Sequence, residues 1–266
     1  MDFAFRVALG ICFVSPLLIG FVFSFAPNNL LDGLPSIRAI FNNLTLENYQ
    51  WIFRNIPVLR YVSNSLAMCL IIVSVQILVS SLAAYAFSFF KFRGKDALFQ
   101  VILIAMMIPG QVTTIANFLT IRDMNLLNTF VGLCLPSLIS GTAIFMMRQF
   151  YLTIPKELKE ASLIDGCGDM RFLVKIAMPL SVPTIAALSI YIFIDVFNMY
   201  LWPMLVAQDP TMFSVQIGMS MLVNSDAKEY GRILAGAMVS IVIPLGAFLV
   251  GQDYLIKGMT SGAVKG

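Results

Sequence analysis

Six stretches of membrane length, uncharged or nearly so, constrain this chain more than any other feature of its sequence. A bilayer core is about 30 Å thick, so a helix needs about 20 mostly apolar residues to cross it. The stretches cover about residues 5–26, 61–90, 97–121, 126–148, 180–206 and 232–254. Because they lack the alternation of barrel strands, we predict an all-α integral membrane protein with six transmembrane helices in a single domain, residues 1–266. The second stretch is longer than a bilayer requires, so its helix is either tilted or projects beyond the hydrocarbon.

The positions of lysine and arginine near the ends of these stretches predict the orientation of the chain. Basic residues crowd the connections after the second and fourth stretches: Lys91, Arg93, Lys95, Arg148, Lys156, Lys159, Arg171 and Lys175. The positive-inside rule places these connections and both termini in the cytoplasm. An alternative for the first stretch is a secretory signal, because Arg6 precedes its uncharged run at 7–26, although that run is longer than a usual signal core.

The content of cysteine, histidine and glycine narrows the chemistry that the chain can perform. Cys12, Cys69 and Cys134 fall inside apolar stretches, and Cys167 falls on the cytoplasmic side, where thiols stay reduced. The absence of histidine excludes a histidine-ligated metal site and histidine-dependent acid–base or triad catalysis. The chain also lacks a glycine-rich phosphate loop ending in Lys-Ser or Lys-Thr. We therefore predict no catalytic, metal or cofactor site in this chain.

A polar segment, residues 152–180, separates the fourth and fifth stretches, and we call it the elbow. Thr153 is placed to cap a helix there, Pro155 suits the first turn, and Gly166 is placed to end it. Helix positions i, i+3, i+4 and i+7 share one face, and these positions are Leu158, Ala161, Ser162 and Asp165. Gly166 and Gly168 allow the chain to reverse into a second short helix that ends near Pro179.

Two interpretations of the elbow follow from its composition. In the first, the two short helices project into the cytoplasm and present a docking surface, because small residues let another backbone approach closely. In the second, an amphipathic hairpin lies on the inner leaflet, held by Lys156, Lys159, Arg171 and Lys175. Four acidic residues within the elbow weaken the case for leaflet binding.

Proline and glycine predict breaks inside two of the apolar stretches. The third contains Pro109-Gly110-Gln111, and the fifth contains Pro183 and Trp202-Pro203. Such breaks free backbone carbonyls that need partners in a protein-lined or watery cavity, and interrupted helices often line transport pathways. The segment 209–231 contains an uncharged part that is too short to cross a membrane, so we expect it to be re-entrant or packed against protein.

The spacing of small and polar residues in the elbow matches a known family. Glu160-Ala161-Ser162, followed by Gly166, Ile176 and Pro179, resembles the "EAA" cytoplasmic loop of the inner-membrane permease subunits of ATP-binding-cassette importers. Further similarities occur at residues 44–49, 64–65, 83–87, 106–109, 148–150, 201–203 and 262–266. These motifs resemble the carbohydrate-uptake branch and its six-span, MalG-like subunit, and they cover essentially the whole chain.

The resemblance implies roles for matching residues. The EAA loop docks into a cleft of the ATPase, so Glu160 would face a basic residue of that subunit, and the tail at 262–266 would reach toward the ATPase pair. The implied coupling residues are Glu160, Ala161, Ser162, Asp165, Gly166, Ile176 and Pro179. Ser162 replaces the second alanine of the motif, a small-for-small change that should still permit docking.

The fifth stretch departs more from the resemblance. Relatives usually read tryptophan-asparagine shortly before Leu-Trp-Pro, whereas this chain keeps Asn198, has Phe197 for tryptophan and adds Asp195. An ionisable residue within a span costs about 2.5–3.5 kcal/mol on insertion scales, which indicates function or pairing. Asp195 and Asn198 are three positions apart, so we expect them to share a helix face and to hydrogen-bond either a polyol in the translocation pathway or a partner helix. Weaker candidates for the pathway, with the same alternative, are Gln76, Gln111 and Asn117.

The resemblance finally implies an assembly: a permease subunit of an importer for a sugar or related polyol in the bacterial cytoplasmic (inner) membrane. The implied partners are a second homologous permease subunit, a dimer of ATP-binding subunits, an extracytoplasmic solute-binding protein and membrane lipid, with no nucleic acid. ATP and Mg²⁺ would be bound by the ATPase and no cofactor by this chain. The alternatives are a glycerol-phosphate importer, an integral-membrane enzyme acting on a lipid or sugar carrier, and a self-contained secondary carrier or channel.

Overall fold

The computed structural model describes residues 2–31, 33, 36–223 and 229–260, and within them every regular element is helical, as the sequence predicts. In chain order the α-helices are α1 (Asp2–Ser24), α2 (Asn28–Leu31), α3 (Ile37–Asn42), α4 (Glu47–Asn55), α5 (Val58–Phe89), α6 (Lys95–Met106), α7 (Gly110–Asp123), α8 (Phe130–Cys134), α9 (Gly141–Tyr151), α10 (Lys156–Ile164), α11 (Asp169–Phe172), α12 (Met178–Leu180), α13 (Val182–Phe197), α14 (Leu201–Val206), α15 (Val215–Ser220) and α16 (Tyr230–Thr260). A π-helical stretch, Leu173–Ala177, joins α11 to α12. Two 3-10 turns are at Leu135–Ser137 and Pro210–Met212.

Three of the described helices are long and apolar enough to cross a membrane: Phe5–Ser24, Val58–Phe89 and Tyr230–Tyr254. Three further candidates are pairs of helices bent at a short break. The bends are 96° between α6 and α7, 51° between Phe130–Ser137 and α9, and 77° between Asp169–Leu180 and α13. The stretches 97–121, 126–148 and 180–206 are therefore not single straight helices, and a count of six spans requires each bent pair to be one span.

The local sequence explains each break. Pro109 lacks a backbone N–H and disfavours helical geometry at Ile108, so α6 ends at Met106 and α7 begins at Gly110, as predicted. The break before α9 was not predicted. There the hydroxyl of Ser140 accepts a hydrogen bond from the Ala143 N–H at 3.3 Å and caps a new helix.

The fifth stretch breaks twice, close to the predicted prolines. Ser181 separates α12 from α13, two residues before Pro183. A second interruption at residues 198–200 precedes α14. Trp202 Nε1 donates to the Leu133 carbonyl at 2.9 Å, which fixes α14 against α8.

The chain divides into two compact units. The first comprises Met1–Asn64 and Phe213–Leu245, and within it α15 packs against the start of α5. The Asn64 side-chain amide donates to the Phe213 carbonyl at 2.9 Å. A Cβ on Gly218 would lie 2.1 Å from Tyr61 Cδ2, so this close approach depends on glycine. Within the uncharged part of 209–231, α15 is thus packed against protein, one of the two outcomes expected for that segment.

The second unit comprises Ser65–Met212 and Gly246–Gly266 and contains the elbow. In it α9 packs against both α6 and α13, and α14 packs against α7 and α8. The helix α5 is 32 residues long, about 48 Å, and its last turns contact the elbow.

Candidate functional site

The first helix of the elbow, α10, begins directly after Pro155, so this proline lies just before the first turn in which the sequence places it. The predicted cap is wrong, because the Thr153 hydroxyl donates backwards to the Phe150 carbonyl at 2.7 Å. Pro155, with φ of −58°, occupies the capping position and has no side-chain hydrogen bond to the helix. The start of α10 is therefore set by the geometry of proline and not by a hydroxyl.

The end of α10 is a two-bond helix stop built on Gly166. The Gly166 N–H donates to the Leu163 carbonyl at 3.0 Å, and the Cys167 N–H donates to the Ser162 carbonyl at 2.8 Å. These are the two bonds of a Schellman motif, which needs a left-handed residue at the position of Gly166. Its φ of +71° meets that requirement, so the predicted stop is confirmed. A Cβ at this position would have no atom within 4 Å, so only the backbone angle demands glycine.

The faces of α10 differ from the prediction at one residue. Ser162 is 6% exposed, and its hydroxyl donates to the Lys159 carbonyl at 2.7 Å. Leu158, Ala161 and Asp165 are exposed, so Ser162 does not share their surroundings. The reason is that the side of α10 carrying Lys159 and Ser162 packs onto the chain itself.

The outward surface of the elbow combines exposed polar and apolar side chains. Glu160, Ala161, Asp165 and Gly166 are exposed, Pro179 is exposed and Ile176 is half-buried. Besides Leu152, the exposed large apolar residues of the elbow are Leu158, Leu163, Ile164, Met170, Val174 and Leu180. Ile164 is 87% exposed, although it sits in the most polar segment of the chain. Exposed apolar patches mark sites that contact another protein or the membrane.

The inward surface of the elbow is held by one ammonium group. Lys159 Nζ lies 2.6 Å from Asp169 Oδ1 and donates to the Tyr85 hydroxyl at 2.8 Å. The Tyr85 hydroxyl in turn donates to Asp169 Oδ1 at 3.0 Å. We call these three residues the elbow triad. The triad joins α10, α11 and the last turns of α5.

A cluster of aromatic rings packs against Lys159 of the elbow triad. Lys159 Nζ lies 4.5 Å from the ring centroid of Phe172, which is fully buried. Phe172 packs against Phe89 with ring centroids 5.5 Å apart, and Phe89 packs against Tyr151 at 6.2 Å. The ammonium group therefore sits between a carboxylate and an aromatic face, both of which attract a cation.

The charges of the triad stabilise each other. Burial by itself would lower the pKa of Lys159, but the hydrogen bonds with Asp169 and Tyr85 outweigh it and raise that pKa above its ordinary value. The hydrogen bond from Lys159 is the main cause that lowers the pKa of Asp169. Both shifts favour the charged forms, so the ion pair is intact around neutral pH.

The triad also bears on the leaflet interpretation of the elbow. That interpretation uses Lys159 as one of four basic residues facing lipid headgroups. The Lys159 side chain is only 13% exposed and is occupied by Asp169 and Tyr85. One of the basic residues required for leaflet binding is thus turned toward the protein.

The second candidate region is the carboxyl end of α13. Asp195 lies in the last turn of α13, and Asn198 is the residue that ends it, with its N–H donating to the Ile194 carbonyl at 3.1 Å. Both are exposed on the chain, and they are separated by less than one helical turn. The break that follows leaves backbone groups near these side chains, as expected for a pathway or for an interface with another helix.

The weaker pathway candidates lie elsewhere. Gln76, on α5, is buried, and its amide donates to the Ser137 carbonyl, which is the interhelical role given as the alternative. Gln111 is exposed at the first turn of α7, and Asn117 is half-buried in the same helix. Only Asp195 and Asn198 among the five candidates adjoin one another along one helix.

The structure shows three residues of the elbow region that the sequence analysis missed. Tyr85, Asp169 and Phe172 were not assigned a role from the sequence, although Lys159 and Asp169 are opposite charges on either side of the Gly166 turn, a signal of pairing. The tail at 262–266 lies outside the described residues. Within the described part of the chain, no group of three or more cysteine, aspartate and glutamate side chains is placed to hold a metal ion.

Comparisons with known proteins agree with this architecture. The family profile "Binding-protein-dependent transport system inner membrane component" matches residues 76–259. The arabinooligosaccharides transport system permease protein AraQ of Halalkalibacterium halodurans is 34% identical over 256 residues, 95% of this chain and 91% of the relative. The sn-glycerol-3-phosphate transport system permease protein UgpE of Agrobacterium fabrum is 38% identical over 202 residues, 75% of this chain and 72% of the relative.

A solved structure shares the fold. A chain in the crystal structure of a bacterial ABC transporter involved in the import of the acidic polysaccharide alginate superposes with a TM-score of 0.81. The two chains are 20% identical, and 94% of each is covered. At this identity the likeness establishes a shared helical fold. This chain belongs to the family of inner-membrane components of binding-protein-dependent transport systems.

Proposed function

We propose that this chain is one of two permease subunits of an ATP-driven importer of a sugar or related polyol. The observation that carries the proposal is similarity to an arabinooligosaccharide permease over 95% of the chain. A second homologous permease subunit would complete the translocation pathway, and an extracytoplasmic binding protein would deliver the solute. The membrane would surround three continuous and three bent spans, with both termini in the cytoplasm.

In this proposal the elbow is the docking surface for the ATPase. Its exposed apolar residues, including Leu163 and Ile164, would be covered by that subunit, and Glu160 would meet a basic residue at the rim. ATP and Mg²⁺ would be bound by the ATPase dimer, and no cofactor by this chain. Closure of the ATPases would move α10 and tilt the spans between inward-open and outward-open packings, which need to differ by only a few kcal/mol.

A glycerol phosphate is the second candidate solute, because several permeases named for it are 35–38% identical to this chain over about three quarters of its length. A phosphate-bearing solute favours basic residues along its path. The polar end of α13 instead offers the carboxyl group of Asp195 and the amide of Asn198. These groups suit the hydroxyls of a neutral sugar, which is the solute class that we propose.

Reconstitution of the complete transporter in proteoliposomes distinguishes the two solutes. Binding-protein-dependent uptake of labelled arabinooligosaccharide, driven by internal ATP, is the expected result. Uptake of sn-glycerol 3-phosphate in its place would show that the solute assignment is wrong while the importer assignment holds. Absence of ATP-driven uptake together with absence of a co-purifying ATPase would overturn the proposed function itself.

The coupling role of the elbow is tested by Gly166→Pro. Proline cannot adopt a φ of +71° and removes the N–H that bonds to Leu163, so the helix stop is lost. We expect ATP hydrolysis and uptake to become uncoupled while the protein remains in the membrane. Gly168→Ala is the matched control, because Gly168 has a φ of −67° and open space around it. Wild-type stimulation of hydrolysis by loaded binding protein in Gly166→Pro would contradict the role.

Glu160→Gln tests the polar contact with the ATPase. If Glu160 faces a basic residue there, loss of its charge should weaken coupling and leave insertion unchanged. Glu157→Gln is the control, because Glu157 is exposed on the same helix, in its first turn. Equal behaviour of the two variants would remove Glu160 from the docking surface.

A further inference from the structure

The elbow triad connects segments that are far apart in the sequence. Lys159 and Tyr85 are separated by 74 positions, and Lys159 and Asp169 lie on opposite sides of the Gly166 turn. The three polar contacts of the triad have donor–acceptor distances of 2.6, 2.8 and 3.0 Å. The side chain of Lys159 is therefore the point at which α10, α11 and α5 are joined.

Lys159 is more enclosed and has more fixed partners than a lysine in an ordinary surface ion pair. Exposed pairs contribute little, because water screens them and long side chains lose freedom on pairing. The Lys159 side chain is 13% exposed, rests on the Phe172 ring and has two oxygen partners in fixed places. A side chain held on three sides restricts the direction in which α10 can move relative to its neighbours.

The helix α10 has no rigid covalent connection to the spans. Covalently, α10 is joined to the rest of the chain by residues 152–155 on one side and by the glycine turn at 166–168 on the other. Neither connection is a continuous helix. By contrast, α5 is one unbroken helix of 32 residues, whereas the three bent pairs are interrupted. Among the contacts described, the triad ties α10 directly to this continuous helix.

We infer that Lys159 is a positioning residue that fastens the coupling helix α10 to the last turns of α5, so that movement of the elbow is transmitted to α5. The inference rests on the proposed function, which supplies the movement. Lys159 does not contact solute or nucleotide in this scheme. It acts through Asp169 and Tyr85, and its loss would let α10 move without α5.

The first experiment measures coupling in the complete transporter. Lys159→Met removes the charge, keeps the apolar stem and should lower solute transported per ATP hydrolysed by up to about tenfold. Lys156→Met is the matched control, a lysine on the same helix that is exposed, and should leave the ratio unchanged. Tyr85→Phe should give a smaller fall, because it removes one hydrogen bond and keeps the ring.

A charge exchange separates positioning from general structural damage. Lys159→Asp combined with Asp169→Lys re-forms the pair and should recover part of the ratio lost in either single variant. Wild-type ratios in both Lys159→Met and Tyr85→Phe would overturn the inference. A wild-type transporter without ATP-driven uptake would instead show failure of the proposed function.

A second experiment needs no partner subunit. Spin labels at Ile164→Cys on α10 and Leu82→Cys on α5 occupy exposed sites, in a background with the native cysteines replaced by serine. Lys159→Met should broaden the distance distribution between the labels, and Lys156→Met should not. An unchanged distribution in Lys159→Met would overturn the inference even if the importer works as proposed.

Discussion

At the scale of single residues, the structure separates side chains that face outward from those that fasten the elbow. Glu160 and Lys159 are neighbours in the sequence, yet one is exposed and the other is enclosed by Asp169, Tyr85 and an aromatic ring. Gly166 contributes no side-chain contact, and its value lies in one backbone angle. Substitutions within a few positions of each other should therefore act through different properties.

The charge state of the triad predicts a pH dependence. A carboxyl whose pKa is lowered by folding stabilises the protein above its unfolded pKa of about 3.9, and this contribution is lost as the pH falls through the lower folded value. Lys159, with its pKa raised, loses its contribution only as the pH rises above about 10.4. The difference in unfolding midpoint between wild type and Asp169→Asn should be constant from about pH 6 to 9, begin to fall near about pH 4 and vanish only below the lowered folded pKa of Asp169. A difference that persists under acid would show that charge is not its cause.

Asp195 is the residue whose role most affects solute selection. Asp195→Asn keeps the shape of the side chain and removes its charge, so a pathway role predicts altered solute affinity or uptake rate with assembly unchanged. Uptake kinetics and co-purification of the partner permease measure the two quantities. If only assembly suffers, Asp195 hydrogen-bonds a neighbouring helix and does not contact solute.

At the scale of elements, the close contact between α15 and α5 depends on the lack of a side chain at Gly218. A Cβ there would lie within the ring of Tyr61, so Gly218→Ala should destabilise the protein by about 1–3 kcal/mol. Gly246→Ala, in α16 with open space around it, should be neutral or stabilising by up to about 1 kcal/mol. Thermal unfolding in detergent compares the two. Similar midpoints for both variants would contradict the tight packing.

Some helix ends and breaks could be predicted from the sequence and others could not. Apolar length predicts helices, Pro109 predicts the break before α7, and Gly166 predicts the end of α10, because each acts on its own neighbours. The break before α9 was missed, since a capping serine such as Ser140 is common and gives a weak signal. The burial of Ser162 was missed for another reason.

Ser162 is buried because of contacts that no local pattern contains. Its side of α10 faces inward since Lys159 is bound by Tyr85, a residue 74 positions earlier. Helical periodicity identifies which residues share a face, but the direction of that face depends on such distant partners. The elbow was therefore predictable in outline, and its inward and outward sides were not.

At the scale of the whole molecule, the expected orientation places the elbow in the cytoplasm. Cys167 is half-buried on the elbow, whereas Cys69 and Cys134 are buried. In a Cys12→Ser background, a membrane-impermeant maleimide should label Cys167 in inside-out vesicles and fail to do so in right-side-out vesicles. Labelling in right-side-out vesicles would reverse the orientation and place the elbow out of reach of an ATPase.

The exposed apolar side chains of the elbow have a consequence for the life of the protein in a cell. Leu158, Leu163 and Ile164 lie in α10, which we place outside the bilayer, where uncovered apolar surface promotes aggregation and attracts degradation. A subunit made in excess of its ATPase would remain an orphan with this surface open. We therefore expect the amount of the chain in the membrane to follow the supply of its partner, with the surplus removed by proteases.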